Sequence, residues 1–460
     1  MPPEFNFSKS KYCEYWQCPK MAWLRQHLPD KAEEDPSAIM RMEAGRNVAE
    51  ITRRLFGDYV DVSAFKDGKP DLAAMEAATI RAMQRGVPTI CEASFCYNGL
   101  FCAVDILKQE NGGWAIYEVK SGTKPTKGVY IADVAYQLYV LECLKLPVTS
   151  VYIVSLNRNY IFDGKLKPRK LFKITDVTDR ARAETNTVYN NLLQAIKLLP
   201  YEEEPDIPIS RACRNPYPCP FRNYCLSELP ATTEKNPRPE YTDKVNIARF
   251  LRQLHYPLYF LDFETFMSAI PIYLGTRPYD QVPFQYSLHY IEEEGGALQH
   301  KEYLADPKFD PRREIAEKLC DDIPEWACVI AYNKTFECTR LVELAVAFPD
   351  LATHLLAIER HIVDLMVPFK NGWLYRKAMG DSYSIKSVLP ALFPSDPDLD
   401  YTKLEGVHNG NEAMTAFPGM LSMTPEEQEK TRNNLLKYCE LDTLAMVKIW
   451  EKLNKTVAEK

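Results

Sequence analysis

One short segment constrains the fold and the chemistry of this chain more than any other. Leu258–Glu264 is an apolar run that ends in two acids, Asp262 and Glu264, which stand two residues apart. Such a run predicts a β-strand. Side chains alternate along a strand, so both carboxylates point to the same face. Paired carboxylate oxygens are ligands for Mg²⁺ or Mn²⁺, which metal-assisted phosphodiester cleavage uses.

Further acidic residues follow downstream. Pro425–Leu453 is predicted to be a long helix, and Tyr438 and Asp442 stand four residues apart in it, on one face. Glu337 follows the end of a predicted strand, at the start of a helix. Four carboxylates at one point repel each other unless cations neutralise them. We therefore predict a two-ion site held by Asp262, Glu264, Glu337 and Asp442. Tyr438 is suited to orient a water, because a neutral phenol both donates and accepts.

Length and composition set the outer bounds. At 460 residues the chain is too long for one ordinary core, and 46% hydrophobic with 26% charged residues indicates a soluble, globular protein. No apolar run reaches the length of a membrane helix, and no signal-peptide pattern opens the chain. We therefore expect a cytoplasmic protein without a membrane partner. The net charge of −7 gives no overall basic footprint for nucleic acid, although bound cations and local lysines can supply a positive field.

A stretch rich in Pro, Thr and charge, residues 227–243, is predicted to be a linker. It separates an N-terminal domain, residues 1–226, from a C-terminal domain, residues 244–460. The N-terminal domain is predicted to be α/β, with strands at Thr89–Cys96, Leu100–Lys108, Trp114–Lys120 and Ser150–Leu156. The C-terminal domain shows three strands, a helix, a strand and a helix, an order that resembles an RNase H-like fold.

The N-terminal domain carries its own charged constellation. Asp105 lies on one strand of a predicted hairpin, and Glu118 and Lys120 share a face of its partner strand, so pairing brings the three together. Two carboxylates can hold a cation, while a lysine can position the attacking water. Gln137, on the following helix, is placed to support this centre. An exposed hairpin with a cross-strand acid–lysine pair is the plainer interpretation of the same residues.

Thirteen cysteines in a chain expected to be cytosolic argue against a disulfide framework. Cys213, Cys219 and Cys225 are spaced C-x5-C-x5-C in a stretch with prolines and asparagines, which predicts an irregular loop able to wrap a metal centre. Cys18 is the candidate fourth ligand, and Cys13 is the alternative. Thiolate ligation is compatible with a [4Fe-4S] cluster or with zinc, and the residues alone leave both open.

Both constellations resemble nuclease families. Asp105, the Glu118-Val-Lys120 segment and Gln137 are similar to the PD-(D/E)XK core of RecB-like nucleases. The four cysteines resemble the split [4Fe-4S] cage of the iron–sulfur members of that group. The C-terminal residues resemble the tyrosine subgroup of the DEDD exonucleases, in the DnaQ-like superfamily: Asp262, Glu264, Glu337, Tyr438 and Asp442. The segment Tyr383–Val388 is similar to the one between the third and fourth acids of those enzymes.

The whole arrangement resembles an uncharacterised prokaryotic family that fuses these two domains. The resemblance implies a metal-dependent nuclease acting on DNA rather than RNA, with 3′–5′ exonuclease chemistry in the C-terminal domain and a second centre in the N-terminal domain. The alternative is a nucleic-acid-binding protein whose N-terminal domain is structural, with cleavage, including that of RNA 3′ ends, confined to the C-terminal domain. Two departures stand out: no histidine follows Gly45 in the first long helix, and Glu337 stands where the superfamily has aspartate. Asp364 is the candidate substitute for Glu337, and a structural residue at a strand end is its alternative interpretation.

Overall fold

Two mixed α/β units, each with its own sheet, make up the chain. The computed structural model describes residues 7–33, 36–228, 239–394 and 396–459. Unit 1 comprises Met1–Thr232 with Ser268–Tyr279, and unit 2 comprises Thr233–Met267 with Asp280–Lys460. The α/β class is thereby confirmed. Most of the predicted linker, residues 229–238, lies outside the described residues, while Tyr241–Thr242 at its end is a short strand of unit 2.

Unit 1 is built on one large sheet. Its strands are β1 (Phe7–Ser8), β2 (Val60–Asp61), β3 (Phe65–Lys66), β4 (Lys69–Pro70), β5 (Thr89–Tyr97), β6 (Leu100–Glu110), β7 (Gly113–Lys120), β8 (Val148–Leu156) and β9 (Phe172–Asp176). The sheet has the order β2-β5-β6-β7-β8-β9, and β1 pairs with β6 at one point. β3 and β4 form a separate pair. The helices are α1 (Lys9–Gln17), α2 (Pro19–His27), α3 (Pro36–Arg53), α4 (Leu72–Gln84), α5 (Gly128–Cys143), α6 (Pro168–Leu171), α7 (Thr178–Leu198) and α8 (Arg222–Ser227).

Local sequence explains the centre of this sheet. Asn111 and Gly112 both have positive φ, which makes the two-residue turn that joins β6 to β7 tight and sets their register. β7 runs parallel to β8, and most residues of both strands are buried. Helix α5 is apolar on nearly every side because α1, α7 and the sheet surround it. Together these elements fix one end of β7 beside α5.

Unit 2 is a sheet between two helical layers. Its strands are β10 (Tyr241–Thr242), β11 (Leu258–Phe266), β12 (Val282–Ile291), β13 (Gln299–Leu304), β14 (Cys328–Ala331), β15 (Ile362–Asp364) and β16 (Leu374–Tyr375). The order is β13-β12-β11-β14-β15, with β12 antiparallel to β11 and β13, and β14 parallel to β11 and β15; β10 pairs with β16. The helices are α9 (Lys244–Leu251), α10 (Arg312–Asp322), α11 (Thr335–Ala347), α12 (Ala352–Arg360), α13 (Val367–Lys370), α14 (Ile385–Leu392), α15 (Gly410–Gly419) and α16 (Pro425–Ala458).

The alternation along β11 decides which helices face the acids. Tyr259, Leu261 and Phe263 pack into a core with α10, α11 and α12. Leu258 and Phe260 pack into a second core with α9, α14 and α16. Asp262 and Glu264 share the face of this second pair, so the strand directs both carboxylates towards α16.

The segment between β11 and β12 groups with unit 1 rather than with the rest of unit 2. Residues 268–279 belong to unit 1, although we predicted them to be part of the C-terminal domain. The N–H of Gly275 donates to the Phe162 carbonyl at 2.8 Å, and the N–H of Phe162 donates to the Thr276 carbonyl at 2.9 Å. Ala269 is buried in the core of that unit. The N-terminal α/β unit is therefore completed by a segment from the second half of the chain.

Among the residues described, no helix has both the length and the apolar character that crossing a bilayer requires.

Candidate functional site

Three predicted acids meet in unit 2. Asp262 and Glu264 come from β11 and Asp442 from α16, and one carboxylate oxygen of each lies within 4.8 Å of the other two. Glu264 and Asp442 are each only 7% exposed. The prediction that strand and helix bring these residues together is met by the geometry.

Electrostatics show what the three acids need in order to ionise together. Burial raises the pKa of Asp262 and of Glu264 well above the usual range, and the charge of Asp442 raises both further. Burial also raises the pKa of Asp442, against the hydrogen bond that it accepts from Tyr401. Like charges held this close in a buried site need a cation to ionise together. A donor set made only of carboxylate oxygens fits Mg²⁺ or Mn²⁺.

Tyr401 and Lys386 complete the site, and our sequence analysis missed both. Tyr401 donates its hydroxyl to Asp442 Oδ1 at 2.5 Å. Lys386 Nζ lies 2.8 Å from the His408 carbonyl and 3.4 Å from the hydroxyl of Tyr438. Its charge opposes the rise that burial causes in the pKa values of Glu264 and Asp442. Lys386 lies in the Tyr383–Val388 segment that the sequence had singled out, and a lysine in a short apolar helix was the available signal.

Glu337 faces the cluster without joining its three close oxygens. The side chain, on α11, is 3% exposed, and its Oε2 has no hydrogen-bond partner among the described residues. Burial raises the pKa of Glu337 to about 8. Its charge also adds to the burial-driven rise in the pKa of Asp262 and Glu264. The predicted fourth acid is thus a buried carboxylate near the other three, with one oxygen that has no hydrogen-bond partner among the described residues.

Asp364, the substitute considered for Glu337, has a structural role. Its Oδ1 accepts the N–H of Asn333 at 2.9 Å and that of Met366 at 3.0 Å. Asn333 has a φ of 68°, in the left-handed region. The carboxylate therefore fixes the turn after β14 and leaves Glu337 as the candidate ligand.

Replacing Glu337 by glutamine is expected to flatten the pH dependence of stability in the metal-free protein. The folded-state pKa of about 8 lies above the normal value of 4.5, so the folded state binds the proton more tightly. Its contribution to stability is complete below about pH 4.5 and is lost as pH rises through about 8. The amide stays neutral and avoids this loss, so we expect Glu337→Gln to exceed wild type by about 1–3 kcal/mol above pH 8. Urea unfolding in EDTA at several pH values measures this. Glu429→Gln, at an exposed helix position, is the control, and an equal pH slope in Glu337→Gln and wild type would contradict the prediction.

The four predicted residues of the N-terminal centre also converge, in unit 1. Glu118 is 1% exposed; its Oε1 accepts from Lys120 Nζ and its Oε2 from Gln137 Nε2, both at 2.7 Å. Asp105 lies beside them and accepts the Val119 N–H at 2.7 Å. Burial, reinforced by the charge of Glu118, raises the pKa of Asp105 to about 7. The pairing of β6 with β7 and the position of Gln137 on α5 bring the four residues together, as predicted.

Two further charged residues enter this centre. Lys9 Nζ lies 2.9 Å from Glu118 Oε1, 3.8 Å from Asp133 and 4.0 Å from Asp105. Asp133 accepts from Lys120 Nζ at 2.5 Å and from Gln137 Nε2 at 2.9 Å. Two lysines thus offset two of the three acidic charges, and no three acids of this centre are among the described groups with ligand atoms within 4.8 Å. The i, i+4 spacing of Asp133 and Gln137 was a usable signal, whereas Lys9 arrives only through the pairing of β1 with β6.

The cysteines predicted as cluster ligands lie near one another. Cys18 precedes α2, and the neighbouring Gln17 donates to the carbonyls of Ala212 and Tyr217, both at 2.8 Å. Burial raises the pKa of the Cys219 thiol to about 11, with added contributions from the other three predicted ligands, Cys18, Cys213 and Cys225. These contacts join the region around Cys18 to the cysteine loop, residues 213–225.

Cys13, the alternative fourth ligand, lies elsewhere. Burial raises the pKa of its thiol. The charge of Asp133 adds to this rise and the charge of Lys120 opposes it, so the thiol lies beside the charged centre. The structure therefore groups Cys18, and not Cys13, with Cys213, Cys219 and Cys225.

Parts of the chain are similar to known sequences. A model described as a domain of unknown function (DUF2779) matches residues 259–384. That range holds Asp262, Glu264 and Glu337 but ends before Tyr438 and Asp442. Two uncharacterized proteins, from Mycoplasma pneumoniae and Mycoplasma genitalium, are each 28% identical over 207 residues, or 41% of this chain. The match spans 31% of the length of each relative.

Proposed function

We propose that the chain is a metal-dependent nuclease acting on DNA, with 3′–5′ exonuclease chemistry in unit 2. The observation that carries this is the trio Asp262, Glu264 and Asp442, buried with their oxygens within 4.8 Å of one another. The strand order β13-β12-β11-β14-β15 is that of RNase H-like domains, which supports a DEDD-type assignment. Glu337, with its unpartnered oxygen, supplies the fourth acid.

The side chains of this site divide the work of hydrolysis. Bound Mg²⁺ or Mn²⁺ supplies Lewis acidity towards the phosphate and its leaving oxygen. Burial raises the pKa of Tyr438, so the phenol stays neutral and can both accept from and donate to the attacking water. Tyr401 fixes the orientation of Asp442. Lys386, close to Tyr438, brings a positive charge to the side where a phosphate would approach.

Unit 1 is proposed to carry a second, RecB-like PD-(D/E)XK centre at Asp105, Glu118, Lys120 and Gln137. The competing proposal is that this unit is structural and binds nucleic acid without cutting it. Lys9 favours the latter, because its ammonium contacts the carboxylate of Glu118 that a metal ion would need. In the active version, Lys9 would have to leave Glu118 when a divalent ion binds.

Replacing Lys120 by alanine tests this centre, in a chain that also carries Asp262→Asn. If unit 1 cuts, the single variant Asp262→Asn keeps a residual Mg²⁺- or Mn²⁺-dependent activity, and adding Lys120→Ala lowers it at least about 100-fold. The substrates are single- and double-stranded DNA and RNA, labelled at either end, which also reports polarity and sugar preference. Lys124→Ala, in the half-buried loop beyond β7, is the control. Equal residual rates with and without Lys120, above a metal-free blank, would leave unit 1 a structural role.

A basic loop in unit 1 supports a nucleic-acid partner. A cavity of about 480 Å³ after β8 is lined by four cations and one acid, Asp163, which pairs with Lys167; the other three cations are Arg169, Lys170 and Lys173. β7 and β8 are parallel, with Lys120 opposite Ser155, so this loop leaves the sheet at the edge that holds Lys120. Such a cluster attracts phosphates locally although the chain as a whole is acidic. The net charge of the whole chain gave no indication of this local cluster of positive charge.

The cysteine group is proposed to hold a [4Fe-4S] cluster. Zinc bound to four thiolates at 2.3 Å brings their sulfurs to about 3.8 Å from one another. Among the described residues, no three of these four thiols have all their sulfurs within 4.8 Å of one another. A larger iron–sulfur cluster is the better match.

A further inference from the structure

A second cluster of ligand side chains lies in unit 2. His289 on β12 pairs directly with His300 on β13, and Glu440 on α16 reaches the same place. One ligand atom of each lies within 4.8 Å of the other two. His289 is buried, whereas solvent reaches both His300 and Glu440, so an ion can enter from outside. None of these residues belongs to the acidic trio.

Hydrogen bonds around the two imidazoles determine their tautomers. Thr443 Oγ1 lies 3.0 Å from the Glu440 carbonyl, 2.8 Å from His289 Nδ1 and 2.7 Å from Ser287 Oγ. Ser287 Oγ is also 2.9 Å from His300 Nε2. The Glu440 carbonyl can only accept, so the Thr443 proton goes to it, and Thr443 then accepts from both Ser287 and His289.

Each ring therefore keeps one nitrogen without a proton. Ser287 gives its proton to Thr443, so it must accept from His300 Nε2–H, which leaves the lone pair of Nδ1 free. His289 donates through Nδ1–H, which leaves the lone pair of Nε2 free. This one arrangement satisfies all four contacts. A hydrogen bond on the distal N–H that fixes the tautomer is how proteins prepare histidine for metal ligation.

We propose that His289, His300 and Glu440 bind a divalent transition-metal ion, with Zn²⁺ the best match. Two imidazoles and one carboxylate suit zinc, whereas the oxygen-only trio suits Mg²⁺ or Mn²⁺. The fourth position is open to water, and Glu302 lies close enough for the charges of His300 and Glu440 to act on it. The ion would join β12 and β13 to α16, the helix that carries Asp442. This site does not depend on the proposed nuclease function.

The test counts zinc on the full chain. Protein is dialysed against Zn²⁺ with excess Mg²⁺ to occupy the oxygen-ligand site, and bound zinc is measured by mass spectrometry. Wild type and His255→Gln, a control at an exposed histidine, are expected to hold about one zinc more per chain than His300→Gln and Glu440→Gln. Zinc taken by the cysteine group is the same in all four proteins and cancels.

A further variant tests the tautomer argument. Thr443→Val keeps all three ligands but removes the hydroxyl that orients both rings, so zinc affinity should fall about 10–100-fold. Glu440→Gln changes a solvent-accessible side chain and preserves the fold, as circular dichroism would show, so the proposal stays testable if His300→Gln misfolds. Equal zinc content in wild type, His300→Gln and Glu440→Gln would overturn the proposal.

Discussion

Asp262→Asn is expected to abolish the 3′–5′ exonuclease activity while making the metal-free protein more stable. Asparagine has nearly the same shape but no charge, so it removes one carboxylate from the trio and weakens cation binding. We expect kcat to fall at least about 1,000-fold on 3′-recessed or single-stranded DNA in Mg²⁺ or Mn²⁺. Burial and Asp442 already raise the pKa of Asp262, so removing the charge should raise the melting temperature in EDTA by about 2–4 °C.

The opposite signs of these two effects separate catalysis from folding. A variant that lost activity by unfolding would melt at a lower temperature, not at a higher one. Added Mn²⁺ should stabilise wild type and should stabilise Asp262→Asn much less. Asp321→Asn, at an exposed position of α10, is the matched control and should behave as wild type in every assay. Full exonuclease activity in Asp262→Asn would rule out the proposed centre.

Cys213→Ser is expected to remove the cluster and to destabilise unit 1. Wild type purified without oxygen should contain about four iron and four acid-labile sulfide per chain. The variant loses one of the four ligands. These ligands lie in two segments far apart in the sequence, so the link between α2 and the loop of residues 213–225 is lost. We expect a loss of more than about 3 kcal/mol and early proteolysis within unit 1.

Cys96→Ser provides the comparison, because Cys96 is an exposed thiol of the same unit. It should keep the iron, the sulfide and the protease resistance of wild type. Cys13→Ser, at the alternative ligand, should also keep the cluster, because Cys13 faces the charged centre and not the cysteine loop. Stoichiometric zinc without iron in anaerobically purified wild type would contradict the cluster assignment.

Patterns within single elements predicted much of both centres. The alternation in Leu258–Glu264 placed two acids on one face, and the i, i+4 spacing of Tyr438 and Asp442 placed them on one side of α16. The C-x5-C-x5-C spacing indicated a loop with metal-binding potential. These features depend on the periods of strands and helices and on local composition, which a single sequence displays.

Other parts of the sites depend on contacts that no local pattern records. Residues 268–279 belong to unit 1 because their backbone pairs with the Phe162 region and Ala269 is buried in its core. Lys9 reaches Glu118 because two residues of β1 pair with β6. Tyr401 meets Asp442 through a short connection before α15, 41 positions away in sequence. Each of these depends on long-range contacts between segments of ordinary composition.

The sequence by itself determined the α/β class, the acids of the trio and the candidate cysteines, because strand and helix periods set which side chains share a face. The tertiary structure alone decided which groups meet across elements. It placed Lys386 and Tyr401 beside the acidic trio. It also placed Cys18, and not Cys13, near the cysteine loop, and Glu440 near the histidine pair. The physical reason is that charge, burial and hydrogen bonding act over distances of a few ångströms in space, whatever the separation along the chain.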